Sequence, residues 1–331
     1  MASVVAAALV LGLLAYAAFG GADFGAGFWD LTAGGPETGA QARARIDASV
    51  GPVWEANHTW LIYCLVVMWT AFPEAFAAVM TTLYVPLGIA ALGIVLRGSG
   101  FAFRKVLWRT PHARLAGLAF SASSVLTPFA FGTVAGAIAS GRVPAGGYGP
   151  PFSSWLSPSA LMSGLLAVAV CAYLAAVFLT ADAHAAHEQD LEDWFGRRAR
   201  AAAVVTGVVS LVGLVVARAD APLLFDNLLT RAWPLALCSV AAGTAALLLL
   251  RRASPRLIRA VSWVAVTALV LAWVAAQAPY LLGTHTTIGS AAAPRTSLDA
   301  LAIVIVVAVA IITPSFALLY VLQQRSRLHG G

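Results

Sequence analysis

Long apolar stretches dominate the sequence and leave few charged groups to face water. Of the 331 residues, 60% are hydrophobic and 10% are charged, whereas soluble domains carry about 25% charged residues. The charges cluster in short runs between the apolar stretches, so they are too few to build a water-facing surface. Lipid is therefore the expected solvent for most of the chain.

Nine stretches are long enough to span a bilayer, which takes roughly 20 apolar residues in a helix. They lie near residues 3–22, 52–72, 75–97, 115–139, 158–181, 200–218, 233–250, 257–282 and 299–322. Residues 72–74 leave only a tight hairpin between the second and third stretches, and the Gly- and Pro-rich residues 140–157 predict an irregular cap. Because no long linker interrupts the pattern, residues 1–331 are expected to form a single transmembrane domain.

The basic residues predict how the chain is oriented in the membrane. Sixteen of the 20 Lys and Arg residues fall in the odd-numbered loops and the C-terminal tail, and four in the even-numbered loops. Positive residues favour the cytoplasmic side, so the N-terminus is expected outside and the C-terminus in the cytoplasm. The same placement explains the net charge of +6 better than contacts with nucleic acid do.

Residues 51–60 place ionisable groups where a span is expected to begin. Pro52 suits the first turn of a helix, and Glu55, His58 and Thr59 then share one face at i, i+3 and i+4. A carboxylate one turn inside the membrane, beside an imidazole, is suited to accept protons from the cytoplasm. The alternative is that Glu55 offsets the helix dipole and His58 is only its polar neighbour.

A glycine-rich segment, residues 20–30, ends the first span on the same predicted side. It has no preceding strand and no following Lys, so a phosphate-binding loop is not expected. Asp23 lies at a depth similar to that of Glu55 and is placed to pair with it. The alternative is that this carboxylate emerges into water.

The other histidines predict no metal or haem site in this chain. His184 and His187 are spaced i, i+3 beside acids, but a metal needs three or four ligands and a solvated face is the favoured interpretation. A bis-histidine haem within the bilayer needs facing helices at matched depth, and only His58 is well placed. No haem is therefore expected to be ligated by this chain.

Several of these motifs resemble those of one membrane family. Residues 51–60 are similar to the G-P-x-W-D-G-N-x-x-W segment of subunit II of bacterial cytochrome bd quinol oxidases, and residues 21–27 resemble its D-G-F-D-x-G-x-G motif. Residues 71–73, 83–87, 96–98, 101–104, 292–294 and 313–315 continue the resemblance. The matched positions mark motif or interface residues: Trp54, Asn57, Trp60, Arg97 and Arg104. The sequence departs from the family pattern at three positions: Gly20, Ala56 and Ala102.

The resemblance implies an all-α polytopic membrane protein of nine transmembrane helices, arranged as two helix-bundle halves plus one helix, in a bacterial plasma membrane. It implies a haem-free subunit that pairs with a subunit I carrying low-spin haem b, high-spin haem b and haem d. Quinol is oxidised outside, and dioxygen is reduced to water with protons from the cytoplasm. The implied proton path runs through Glu55 and Asp23, with His58 as a compensating group.

Further partners and rival functions remain open at this stage. A quinone bound to this chain and a small single-helix accessory subunit are both compatible with the resemblance, as are contacts with quinol and lipid. The rival functions are a secondary transporter and a stand-alone haem-binding electron carrier. The absence of mid-span charges argues against the transporter, because transporter sites are built from polar groups near the bilayer midplane.

Overall fold

The structure, a computed structural model, describes residues 1–35, 37–50, 54–106, 113–250 and 254–329. Within these ranges, the side chains at positions 50, 54–56, 104–106, 113–114, 316–317 and 319–329 lie outside the description. The α-helices are α1 (Ala2–Ala15), α2 (Gly21–Leu31), α3 (Ala40–Val50), α4 (Trp54–Ala71), α5 (Pro73–Thr82), α6 (Tyr84–Val106), α7 (Ala113–Ala139), α8 (Pro158–Ala185), α9 (Gln189–Asp220), α10 (Pro222–Thr230), α11 (Trp233–Leu249), α12 (Pro255–Gln277) and α13 (Arg295–His329).

Seven helical segments in the described ranges are long and apolar enough to cross a membrane, and the number rises to nine if two bent pairs each count as one span. The bent pairs are α4 with α5, at 118°, and α10 with α11, at 79°. Many of the large apolar side chains on these helices are exposed, for example Leu211, Val215 and Leu248. Such exposure fits a protein surrounded by lipid or by another membrane subunit.

The third apolar stretch differs from its expected boundaries. A single span was expected over residues 75–97, but α5 ends at Thr82 and α6 begins at Tyr84. The physical reason is Pro86, because a proline ring clashes with the carbonyl four residues earlier, here that of Thr82. In the first turn of a new helix the missing N–H of Pro86 has no such cost. The expected hairpin at 72–74 is therefore a bend into a short separate helix.

The eighth span is also shorter than expected at its C-terminal end. The prediction ran to residue 282, but α12 ends at Gln277, just before the Ala278–Pro279 bond. Proline disfavours helical geometry in the residue before it. Beyond it, β1 (Tyr280–Leu282) pairs antiparallel with β2 (Thr286–Thr287). This two-stranded hairpin fills the loop between α12 and α13.

Residues 140–157 form the irregular cap that the sequence predicts, with neither helix nor strand. Arg142 anchors this loop, because its Nη1 and Nη2 donate to Asp220 Oδ2 and Oδ1 at 3.0 and 2.6 Å. Asp220 Oδ2 also accepts from the backbone N–H of Ser159 at 2.9 Å. The carboxylate at the end of α9 thus joins the cap to the start of α8.

A π-helical turn, Tyr16–Gly20, joins α1 to α2 within one continuous helix. A π-turn widens the helix locally and often marks a functional site. The amide of Asn57 on α4 donates to the Phe19 carbonyl in this turn at 3.4 Å. The turn directly precedes α2, which carries the buried acids described next.

Candidate functional site

A buried ion pair joins α2 to α6 inside the bundle. Arg97 Nη2 donates to Asp23 Oδ1 at 2.8 Å and to the Asp23 carbonyl at 3.0 Å. The two residues are only 1% and 5% exposed. Arg97 Nε donates to Ser124 Oγ on α7 at 2.9 Å. One guanidinium therefore links three helices, and the alternative that Asp23 emerges into water is wrong.

Glycines on α2 allow the neighbouring helices to approach closely enough to enclose this pair. A Cβ at Gly25 would collide with the Cys171 carbonyl of α8, and one at Gly27 would collide with the Ser124 side chain of α7. Small residues permit this kind of close packing between membrane helices. The glycine-rich motif is thus a packing surface that positions Asp23 against α6 and α7.

Two aromatic rings lie beside the Arg97 guanidinium. Its Cζ lies 5.0 Å from the ring centre of Phe24 and 4.9 Å from that of Phe120. An Arg over an aromatic face gains cation–π attraction, which is stronger when water is excluded. Arg97 was expected as a motif or interface residue at the end of a span. The structure instead places it in the interior of α6 as the countercharge of Asp23.

A second buried carboxylate lies seven residues after Asp23 on α2, and the sequence analysis did not single it out. Asp30 is 3% exposed and pairs through Oδ1 with Arg43 Nε at 3.0 Å. Its Oδ2 accepts from Ser121 Oγ of α7 at 3.1 Å. The seven-residue spacing from Asp23 puts both acids on one face of α2, about 10 Å apart along the axis. That spacing was the available sequence signal.

His58 lies in an aromatic cluster beside the ion pair. Its ring centre is 6.3 Å from that of Tyr16 and 6.2 Å from that of Phe24, and these two rings are 6.4 Å apart. His58 also interacts electrostatically with Asp23 and Arg97. The structure therefore brings together two of the predicted proton-path residues, Asp23 and His58, near one buried site.

The remaining predicted residues have different outcomes. The side chains of Glu55, Trp54 and Arg104 lie outside the described part of the chain. Asn57 is buried and bonded to the π-helical turn, and the Trp60 ring packs 6.2 Å from that of Tyr63. The expected pairing of Glu55 with Asp23 therefore stays a prediction.

The two histidines considered above lie in different surroundings. The centre of the His58 ring lies about 6 Å from those of two other aromatic rings, Tyr16 and Phe24. His184 lies with its Nδ1 3.1 Å from Glu192 Oε2, and both side chains are largely exposed. The described residues contain no group of three or more His, Cys, Asp or Glu side chains arranged to hold a metal ion.

These features define a class: a polytopic helical membrane protein with a buried acid–arginine site inside its helix bundle. The chain belongs to a family within that class. The model of the family described as "Cytochrome bd terminal oxidase subunit II" matches residues 1–323.

Two known proteins are similar to this chain. "Cytochrome bd ubiquinol oxidase subunit 2" of Bacillus subtilis (strain 168) is 29% identical over 114 residues, which are 34% of this chain and 33% of that protein. The match thus spans about a third of that curated relative's length. A chain in "the structure of bd oxidase from Geobacillus thermodenitrificans" is similar in fold, with a TM-score of 0.80 and 24% identity over 100% of this chain and 99% of that one.

Proposed function

We propose that the chain is the haem-free second subunit of a cytochrome bd-type quinol:oxygen oxidoreductase in a bacterial plasma membrane. Its partner is a subunit I that carries low-spin haem b, high-spin haem b and haem d. These haems supply the electron transfer from quinol to dioxygen. The family match over residues 1–323 supports the role of a second subunit for this chain.

The chain contributes in two ways under this proposal. Its exposed apolar helix faces pack against subunit I and lipid, and they can also accept a small single-helix accessory subunit or a quinone. Its buried acids take up protons from the cytoplasm, which the reduction of dioxygen to water consumes. The residues form a single domain of nine spans with the N-terminus outside.

The observation that carries the proton-uptake proposal is the buried pair of Asp23 and Arg97, whose side chains lie 2.8 Å apart in the bundle interior. Burying charge in a membrane is costly, so a retained ionic site is a candidate for function. Asp30 and Asp23 share one face of α2, with the hydroxyls of Ser121 and Ser124 beside them on α7. With the N-terminus outside, Asp30 lies near the cytoplasmic end of α2, and Asp23 lies deeper in the membrane. Glu55 and His58 complete the path on α4.

Purification of the tagged chain from native membranes tests the assembly. We expect a haem-bearing subunit to co-purify and the preparation to show the visible spectrum of haems b and d. Haem retained by the isolated chain would point to an electron carrier instead, and absence of both haem and partner would contradict the proposal.

The purified complex with Glu55→Gln tests the proton path. We expect slower oxygen consumption at unchanged haem content, because glutamine keeps the shape of the side chain but does not exchange a carboxyl proton. Glu74→Gln, in the first turn of α5, is the matched control and should leave the turnover unchanged. Wild-type turnover of the Glu55→Gln complex would remove the assignment.

A further inference from the structure

Two buried polar atoms close to the Asp23–Arg97 pair have no hydrogen-bond partner among the described residues: the Tyr16 hydroxyl and Asp23 Oδ2. Leaving a buried polar group unsatisfied costs about 1–3 kcal/mol. Proteins usually meet this cost with an ordered internal water, which takes two to four polar partners. Arg97 occupies only Oδ1 of the carboxylate, so Oδ2 still needs a donor.

The Tyr16 side chain lies in the same aromatic cluster as the groups around the ion pair. Its ring packs against Phe24 and His58, and the hydroxyl interacts electrostatically with both Asp23 and Arg97. Gly20 leaves room for this ring, because an added Cβ would lie 3.2 Å from Tyr16 Cε2. The π-helical turn and this glycine together hold the phenol against the helix beside the buried acid.

A phenol hydroxyl can both donate and accept a hydrogen bond, whereas a carboxylate only accepts. A water between the two groups can donate to Asp23 Oδ2 and exchange a hydrogen bond with Tyr16. In a relay step, a proton carried by Asp23 Oδ2 passes to the water, and the water gives one of its own protons to the Tyr16 oxygen. The Tyr16 O–H bond breaks at the same time, and its proton leaves to a second water on the far side. Asp23 returns to the carboxylate, the first water and the phenol end the step unchanged, and the second water carries the proton onward.

We propose that Tyr16 is a further residue of the proton path, linked to Asp23 Oδ2 by an ordered water. Tyr16 precedes Asp23 by seven residues, so their Cα atoms lie about 10 Å apart along the helix. The Tyr16 ring reaches back past Gly20 to Phe24, toward the acid. The inference rests on the proposed function of the chain as the proton-supplying subunit. It adds a residue that the sequence analysis did not select.

The test is Tyr16→Phe in the complete complex. We expect oxygen consumption to fall at least about tenfold, since losing a proton-transferring side chain commonly costs more than that. The solvent deuterium isotope effect on turnover should rise, while haem content and spectrum stay normal. Tyr63→Phe is the matched control, because the Tyr63 hydroxyl donates to the Ala8 carbonyl at 3.1 Å and lies outside the path. Its turnover should not change.

The outcomes separate this inference from the proposed function. If Tyr16→Phe turns over normally while Glu55→Gln is slow, the role of Tyr16 is refuted and proton uptake through the chain stands. If both turn over normally, both proposals fail. If Tyr16→Phe prevents assembly, a high-resolution density map of the wild-type complex tests the proposed water directly. Ordered density between the Tyr16 hydroxyl and Asp23 Oδ2 supports the relay, and a gap filled by an apolar side chain overturns it.

Discussion

At the scale of residues, the central feature is a full ion pair placed where neither partner meets solvent. Each charge compensates the other, and Ser124, Phe24 and Phe120 complete the surroundings of the guanidinium. Breaking such a pair by removing one partner leaves an uncompensated buried charge, which costs more than the pair itself contributes. The pair is therefore sensitive to single substitutions and tolerant of a matched double one.

We expect Arg97→Met to lower the free energy of unfolding by about 3–5 kcal/mol, because it leaves the buried Asp23 carboxylate without a countercharge. Unfolding of the purified complex in detergent, followed by circular dichroism, measures this. The control is Arg259→Met, whose pair with Asp182 has the same 2.8 Å distance but is partly exposed. It should cost about 1 kcal/mol or less. The double variant Asp23→Asn/Arg97→Met should regain part of the loss, and strict additivity would contradict a direct coupling.

The sequence analysis selected Asp23 but predicted neither its burial nor its partner. Asp23 could be selected because a carboxylate inside an apolar stretch is unusual, and Asn57 and His58 because they lie in a motif. Arg97 is 74 positions away from Asp23, and the packing of α7 against both α6 and α2 brings the two together. Tyr16 looked like an ordinary aromatic residue of a span. The role that we propose for it depends on the π-helical turn, which hydropathy does not reveal.

At the scale of elements, close approach between helices decides which side chains can meet. The backbone of α2 lies directly against that of α8, with Gly25 facing the Cys171 carbonyl. Apolar length predicted most helices, since the spans follow the hydropathy pattern. The breaks at Leu83 and Gln277 follow instead from Pro86 and Pro279, which span counting ignores.

We expect Gly25→Ala to destabilise the protein by about 1–3 kcal/mol, because the added methyl group forces α2 away from the α8 backbone. The same displacement should weaken the Asp23–Arg97 contact and slow turnover. Gly207→Ala on α9 is the control, since nothing lies within 4 Å of its added Cβ. The measurement is the midpoint temperature of thermal unfolding of each variant. Equal midpoints would show that the interface between α2 and α8 can accommodate the added methyl group.

At the scale of the whole molecule, the two bent helix pairs decide the topology. If the pair of α4 and α5 crosses the membrane, the cap at residues 140–157 lies outside; if it is re-entrant, the same cap lies in the cytoplasm. The positive-inside pattern favours the first arrangement. Arg97, however, belongs to the bundle interior and should be removed from that count, which leaves 15 basic residues on the cytoplasmic side against four.

We expect the variant Tyr148→Cys to react with a membrane-impermeant maleimide in intact spheroplasts, because the side chain at position 148 is 83% exposed in the cap. The background should lack the natural thiols at Cys64, Cys171 and Cys238. The variant Asp190→Cys, near the start of α9, should react only after lysis, because this end of α9 is expected in the cytoplasm. Labelling of the two positions in the opposite order would exclude nine spans with an outside N-terminus.

The 74-residue separation of Asp23 and Arg97 has a consequence for biogenesis. Translation at about 5–20 residues per second delivers the arginine roughly 4–15 s after the acid. During that interval the first helix must partition from the translocon into lipid with a lone carboxylate, a cost of several kcal/mol. The uninterrupted apolar run of α1 offsets that cost, so its leucines and valines serve membrane insertion before they serve packing.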